Sequence, residues 1–289
     1  MKQKLDWNDK KVKKQIHRLL RAGIQLMFFI VFPSIFTAAF AGVRYLAVQI
    51  GQTEPLALTA FVKVLCGLCL FTMIFGRFFC GFACAFGSFG DALHALYQNI
   101  CKKLKIKSVK LPESVCEIAP VLKYLLLGGI LILCFTGNEG RMKGSSPWEV
   151  FSLLRMGRFS MQQKTAGVVL LILIVIGMCI KERFFCQFLC PMGAVFSLLP
   201  VLPFFSLRRN RESCITGCSG CRRNCPSATE LPEQGSLATS GDCFMCRKCM
   251  DVCPKGNIHS GLLKIRGNEI WFTMVRTILL VLLIWYVNR

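Results

Sequence analysis

The chain has 289 residues, 54% of them hydrophobic, and a formal net charge of +21. The apolar share exceeds the roughly 45–50% of a soluble domain, and a mean hydropathy of +0.51 points to a polytopic membrane protein with a small polar module. No nucleic-acid motif accompanies the charge, so it reads as cationic loops facing the cytoplasm and anionic lipid, not as an RNA or DNA footprint.

Taken in order, residues 1–21 hold eight basic residues and are predicted as a basic cytoplasmic N-terminus. No small-residue cleavage site follows, so 22–41 is predicted as an uncleaved first span, kinked at Pro33. Residues 56–76 form a second predicted span, 120–136 a third and 161–180 a fourth. Residues 270–287 are read as a fifth span or an interfacial helix, because Arg276 interrupts them. The predicted domains are the N-terminus 1–21, a membrane repeat over 22–101, a basic cytoplasmic loop over 102–119 and a second membrane repeat over 120–207. A ferredoxin-like α+β module over 208–269 and the terminal segment 270–289 complete the fold class, an α-helical membrane protein of four to five spans. Lys and Arg number 26 on the N-terminal side of the membrane and 6 on the other, which places the module in the cytoplasm of a cell-membrane protein.

The repeat is an offset of 106 residues. Arg77-Phe-Phe-Cys80-Gly-Phe-Ala-Cys84-Ala-Phe-Gly87 falls on Arg183-Phe-Phe-Cys186-Gln-Phe-Leu-Cys190-Pro-Met-Gly193, with seven of eleven positions identical. Within each copy the two cysteines stand at i and i+4, which on a helix would share one face. A pseudo-two-fold axis would bring Cys80, Cys84, Cys186 and Cys190 together at the interface between halves. Three readings stay open for them: helix-packing thiols, a metal or iron–sulfur centre, or a redox dithiol. Arg77 and Arg183 are predicted to anchor span ends at the headgroup level. His94 is read as an interfacial histidine or a proton acceptor.

The strongest motif lies in the module. Cys243-Phe-Met-Cys246-Arg-Lys-Cys249-Met-Asp-Val-Cys253-Pro254 is C-x2-C-x2-C-x3-C-P. Cys214, Cys218, Cys221 and Cys225-Pro226 repeat it with one extra residue between the first two. In two-cluster ferredoxins the fourth cysteine of each run serves the other cluster. By that rule one [4Fe-4S] cluster takes Cys214, Cys218, Cys221 and Cys253, and the second takes Cys243, Cys246, Cys249 and Cys225. A zinc knuckle would use two C-x2-C pairs, and a disulfide knot would need an oxidising compartment.

With both features in view, the chain resembles the membrane-bound polyferredoxins of the NapH/NosR type. The resemblance rests on the spans, on Cys186-Gln-Phe-Leu-Cys190-Pro191 and on the two-cluster module; Cys80-Gly-Phe-Ala-Cys84-Ala85 lacks the proline. It implies quinol-linked electron supply across the bilayer, with two [4Fe-4S] clusters, a candidate further iron or iron–sulfur centre and a candidate quinone. The implied partner is a reductase, a flavoprotein or a ferredoxin. A metal-reducing or maturation factor and a redox-sensing membrane protein stand as alternatives. No Walker motif, nucleophile elbow or zincin helix provides a catalytic residue, so the chain reads as a component of an oxidoreductase system.

Overall fold

The structure, a computed structural model, describes residues 10–109, 111–138, 140, 146–155, 157, 165–261 and 269–287. Helices dominate. The N-terminal apolar stretch forms α1 (Lys10–Val31) and α2 (Ile35–Gly51), which together pass as one span but bend by 62°. The break falls at Pro33, whose ring cannot continue the helix. The expected single kinked span of 22–41 is therefore two helices that extend beyond it at both ends.

The second apolar block forms α3 (Ala60–Phe75), started by the Thr59 side chain accepting from the Val62 amide and stopped at Gly76 with φ +68. The next helices are α4 (Ala85–Lys103), α5 (Glu113–Ile118) and α6 (Leu122–Phe135). Ser114–Phe135 runs as one apolar helix, so the end of the expected basic loop 102–119 belongs to a candidate span. Then come α7 (Pro147–Arg155) and α8 (Thr165–Ile180). Three short helices follow, α9 (Phe184–Phe188), α10 (Pro191–Leu198) and, beyond strand β1 (Leu207–Arg209), α11 (Gly220–Arg223). The chain ends in α12 (Lys248–Val252), β2 (Ile258–Ser260) and α13 (Glu269–Val287). Strands β1 and β2 pair antiparallel, Arg208 opposite His259, and tie the two ends of the module together.

Among the described residues, two helices are long and apolar enough to cross a membrane, Ser114–Phe135 and Glu269–Val287, or three if the bent pair is one span. Helices α3 and α8 have 16 residues each, about 24 Å at the α-helical rise, short of a ~30 Å hydrocarbon core. They end early because each gives way to a cysteine-bearing turn. Large apolar side chains face outward on α6, α8 and α13, for example Leu125, Leu173 and Leu282, as a lipid-facing surface requires. Inside, Gly42 lets α2 approach α3 so closely that a Cβ there would lie 2.6 Å from the Phe61 carbonyl oxygen. Gly90 does the same for α4 against Met178 of α8. A cluster of Phe36, Phe86, Phe151, Phe185 and Trp148 fills the space between these helices.

Candidate metal centres

The two repeated motifs take closely matching local conformations. Residues Phe79–Ala83 form one π-helical turn, and α9 is its counterpart. In each, the amide of the second cysteine donates to the carbonyl of the residue before the first: Cys84 to Phe79 and Cys190 to Phe185, both 2.9 Å. Each second cysteine has left the helical conformation and caps the next helix, Cys84 at φ −67 and ψ 115, Cys190 at φ −78 and ψ 112. The amide of Gly193 donates to the sulfur of Cys190 at 3.1 Å. The expectation that each pair shares one helical face is thus corrected. In the second turn the Cys190 sulfur captures an amide of the following turn, as an N-cap side chain does.

Beyond the ends of the apolar helices, the structure brings Cys80, Cys84, Cys186 and Cys190 together. All four are buried. Burial pushes the Cys84 thiol up, and Cys186 and Cys80 push it further. Burial likewise raises Cys190, with Cys186, Cys80 and Cys84 adding to it. Cys186 rises to about 11, through burial against the opposing pull of Arg183. Thiols so placed stay protonated unless a metal takes up their charge.

Two guanidiniums close the site, each reaching in from the opposite half. Arg77 lies over Gly193, where a Cβ would be 2.9 Å from its Nη2. Arg183 lies over Gly87, where a Cβ would be 2.5 Å from its Nη1. Each is only 1% exposed, so neither anchors at the headgroup level as expected; both pack beside the thiols. Arg183 is fully bonded, to both Asp91 oxygens and to the carbonyls of Cys80 and Gly81. Arg77 donates to Asp242 at 3.3 Å, and its Nε and Nη2 have no hydrogen-bond partner among the described residues. A buried cation with free N–H groups beside four thiols suits a centre of net negative charge. Among the described residues no three His, Cys, Asp or Glu side chains close around a single ion.

The module groups its eight cysteines in two sets. Cys214, Cys218, Cys221 and Cys253 line one small cavity with Arg209 and Ile258. The first three also line a cavity of about 550 Å³ with Cys225, Cys243, Cys246 and Cys249. Burial lifts the Cys249 thiol, and Cys246, Cys243 and Cys225 lift it further. Burial pushes Cys243 up to about 12, and Cys246 and Cys225 are again among its neighbours. Cys225 thus stands with the 243–249 loop and Cys253 with the 214–221 loop. Gly217, at φ +73, takes the turn that the extra residue of the first run demands. Met245 and Arg247, both at positive φ, bracket Cys246. Such strain persists where the surroundings fix the backbone.

Two ionic networks bind module to membrane helices. Asp242 pairs with Arg77 and with Lys123, whose ammonium at 2.5 Å is almost fully buried. Glu182 pairs with Lys248, and Asp91 accepts from Arg183, Arg21 and Gln25. Sequence reasoning passed over Lys123, Asp91 and Asp242. The repeat held one usable signal, because Arg77/Arg183 and Gly87/Gly193 recur in register with the thiols. His94 donates from Nδ1 to the Cys179 carbonyl at 2.9 Å.

Residues 57–104 and 164–209 each match the family described as 4Fe-4S binding domain, and each segment contains one Cys pair. An uncharacterized protein of Methanocaldococcus jannaschii is 26% identical over 244 residues, covering 82% of this chain and 93% of that protein. The ferredoxin-type protein NapH of Haemophilus influenzae is 27% identical over 194 residues, 64% of this chain and 62% of NapH. The regulatory protein NosR of Pseudomonas aeruginosa is 24% identical over 189 residues, 63% of this chain and 25% of NosR. The chain is similar to membrane-associated proteins of the polyferredoxin type, at 24–27% identity to NosR and NapH. It spans less than two thirds of NapH and a quarter of NosR. No solved structure matches it. The family matched and the ferredoxin-type name of NapH both point to iron–sulfur chemistry.

Proposed function

We propose that the polyferredoxin is a membrane relay with three iron–sulfur centres. The module holds two [4Fe-4S] clusters, one on Cys214, Cys218, Cys221 and Cys253, the other on Cys243, Cys246, Cys249 and Cys225. The third centre is held by Cys80, Cys84, Cys186 and Cys190, between two parallel repeats of the membrane part. One observation carries the third centre: four buried thiols from two distant segments meet beneath two buried arginines, one of them with unpartnered N–H groups. Packing alone gives no reason to bury a guanidinium whose only carboxylate partner, Asp242, leaves its Nε and Nη2 without hydrogen-bond partners among the described residues.

These groups supply one-electron storage when bound. The chain's own residues do the rest. The thiolates fix each centre, Arg77 and Arg183 offset the charge of the buried one, and the apolar helices keep water from it. In this reading the four to five crossings come from the apolar stretches, and the cytoplasmic side of the module from the basic residues of its loops. A cytoplasmic or quinol donor and a membrane or extracytoplasmic acceptor are the partners of this reading.

The test is iron content and electron paramagnetic resonance of the purified full chain. Two cubanes in the module require about eight iron atoms, and the reading expects more. Serine at all four of Cys80, Cys84, Cys186 and Cys190 should remove the excess and one paramagnetic signal. Iron content unchanged by that variant would make the four thiols packing residues. For the orientation, a cysteine introduced in 104–108 should resist an impermeant thiol reagent in whole cells, and one in 141–146 should react; the reverse pattern puts the module outside the cytoplasm.

A further inference from the structure

We propose that the 242–246 loop is the junction of the relay, so that electrons pass between the outer thiol set and the deep one only by way of the second set. This deepens the reading above and rests on the deep thiols holding a redox centre. Here the deep set is Cys80, Cys84, Cys186 and Cys190, the second set is Cys243, Cys246, Cys249 and Cys225, and the outer set is Cys214, Cys218, Cys221 and Cys253.

The argument starts at Gly81, between the two cysteines of the first repeated turn. A Cβ at that position would drive into the Phe244 carbonyl oxygen and lie 3.7 Å from the Cys246 amide. The backbone joining two deep thiols therefore touches the backbone joining two thiols of the second set. The corresponding residue of the other turn is Gln187, whose long side chain reaches the Ser227 carbonyl at 3.4 Å. Only the first turn carries the small residue that close approach demands, and it is there that the loop enters.

Three further contacts hold the loop in place. The Phe244 ring, 2% exposed, lies beneath the same two arginines that cover the deep thiols, 4.7 Å from Arg77 and 5.9 Å from Arg183. Met245 packs over Gly76, with its Cγ 3.1 Å from where a Cβ would stand. Asp242 is fixed by Arg77 and Lys123. Residues 242–246 are thus wedged into the membrane half from both ends. Among the described residues, the small cavity of the outer set is walled only by residues 209–258, all within the module or its first strand.

The step is a transfer of one electron. One set is oxidised, its neighbour is reduced, and no bond is made or broken and no proton moves. The initial reductant is a soluble one-electron donor, for which dithionite serves in the test.

The experiment uses the full chain, purified without oxygen and reduced by dithionite. In the unaltered protein the paramagnetic signal of the deep centre should be split by a neighbouring reduced cluster. The splitting should vanish in Cys246→Ser and survive in Cys218→Ser, while each variant loses about four iron atoms. Splitting that survives Cys246→Ser, or that is lost with Cys218→Ser, overturns the proposal, as does an unsplit deep signal in the unaltered chain. Gly81→Ala should keep its iron but weaken the splitting. Gly128→Ala, whose Cβ meets nothing within 4 Å, should change neither. If Gly81→Ala fails to accumulate, the two serine variants decide. If the fourfold serine variant of the deep set loses no iron, it is the three-centre reading that fails, whatever the junction does.

Discussion

The deep and outer thiol sets meet the same requirement, several thiolates in a small volume, in opposite surroundings. The outer set sits in short loops at the surface, where Cys218 is exposed and Arg209 reaches Cys221 at 3.6 Å. Water and nearby side chains can share its charge. The deep set is buried, and two guanidiniums lie beside it, each delivered from one repeated segment over a glycine of the other. The difference teaches that the outer set is defined by spacing along the chain, whereas the deep set is defined by what the other half brings to it. A local motif suffices for the first; the second exists only when both halves are folded.

The largest expected effect breaks the comparison outright. Cys186→Ser should abolish the deep paramagnetic signal and leave both module signals in place, because the deep set shares no cysteine with the module. Cys218→Ser should abolish the outer signal and leave the deep and second signals in place. Simultaneous loss of all signals in either variant would show that the two sets do not assemble independently.

Next comes the cationic lid. Asp91 accepts from Arg183 at 2.7 and 2.6 Å and from Arg21 at 2.8 Å. Removing it in Asp91→Ala leaves Arg183 buried and unpaired, a loss of about 3–5 kcal/mol, read as a lowered unfolding temperature in detergent. Burial pushes the Asp91 carboxyl up, but Arg183 and Arg21 outweigh it and hold it below the usual carboxylate range. Its stabilising contribution is therefore full above the ordinary carboxylate pKa and is lost as pH falls through the depressed one. An Asp91→Ala chain that melts like the unaltered one would remove the lid from the account of the deep set.

The third prediction sharpens the role of the glycines. Gly193→Ala would place a methyl group 2.9 Å from Arg77 Nη2 and 3.0 Å from the Cys186 carbonyl oxygen. Overpacking of this kind costs about 1–3 kcal/mol. It should also shift the spectrum of the deep centre and leave the module spectra alone. Gly217→Ala in the outer loop meets no atom within 4 Å, and its cost should come only from the left-handed backbone at φ +73. Equal spectral effects on both sets would contradict the distinction.

This division also explains what could be read in the sequence. The module was legible because Cys-x2-Cys-x2-Cys spacing is itself the geometry of a wrapped loop. Four thiols meeting between the halves could be expected from the 106-residue offset. The arginines could not be placed, because an Arg before a Cys at a helix end looks the same whether it turns toward lipid headgroups or crosses to the other half. That choice is made by Gly193 and Gly87, 116 and 96 residues away from the arginine each receives. Lys123 was hidden for a similar reason: a lysine at the start of an apolar run reads as an anchor, and only tertiary structure supplies Asp242. The bend at Pro33 was foreseen, but neither its 62° nor the extension of α2 to Gly51 was.

The smallest expected effect lies where the N-terminal helix meets the module. His17 Nδ1 stands 3.0 Å from the Asp251 carboxylate, with side chains 20% and 18% exposed. Asp251 lies between Cys249 and Cys253, so this contact touches the helix that carries Cys249 and leads into Cys253. A pair so open to water is screened by salt and holds two side chains in one geometry, which limits it to about 1 kcal/mol or less. His17→Ala should lower the unfolding temperature slightly, and the difference should shrink further in high salt. The deep signal should not change, since Arg21, four residues on, keeps its own bond to Asp91. A loss as large as that of Asp91→Ala would mean that α1 is a structural part of the cluster module and not a helix laid against it.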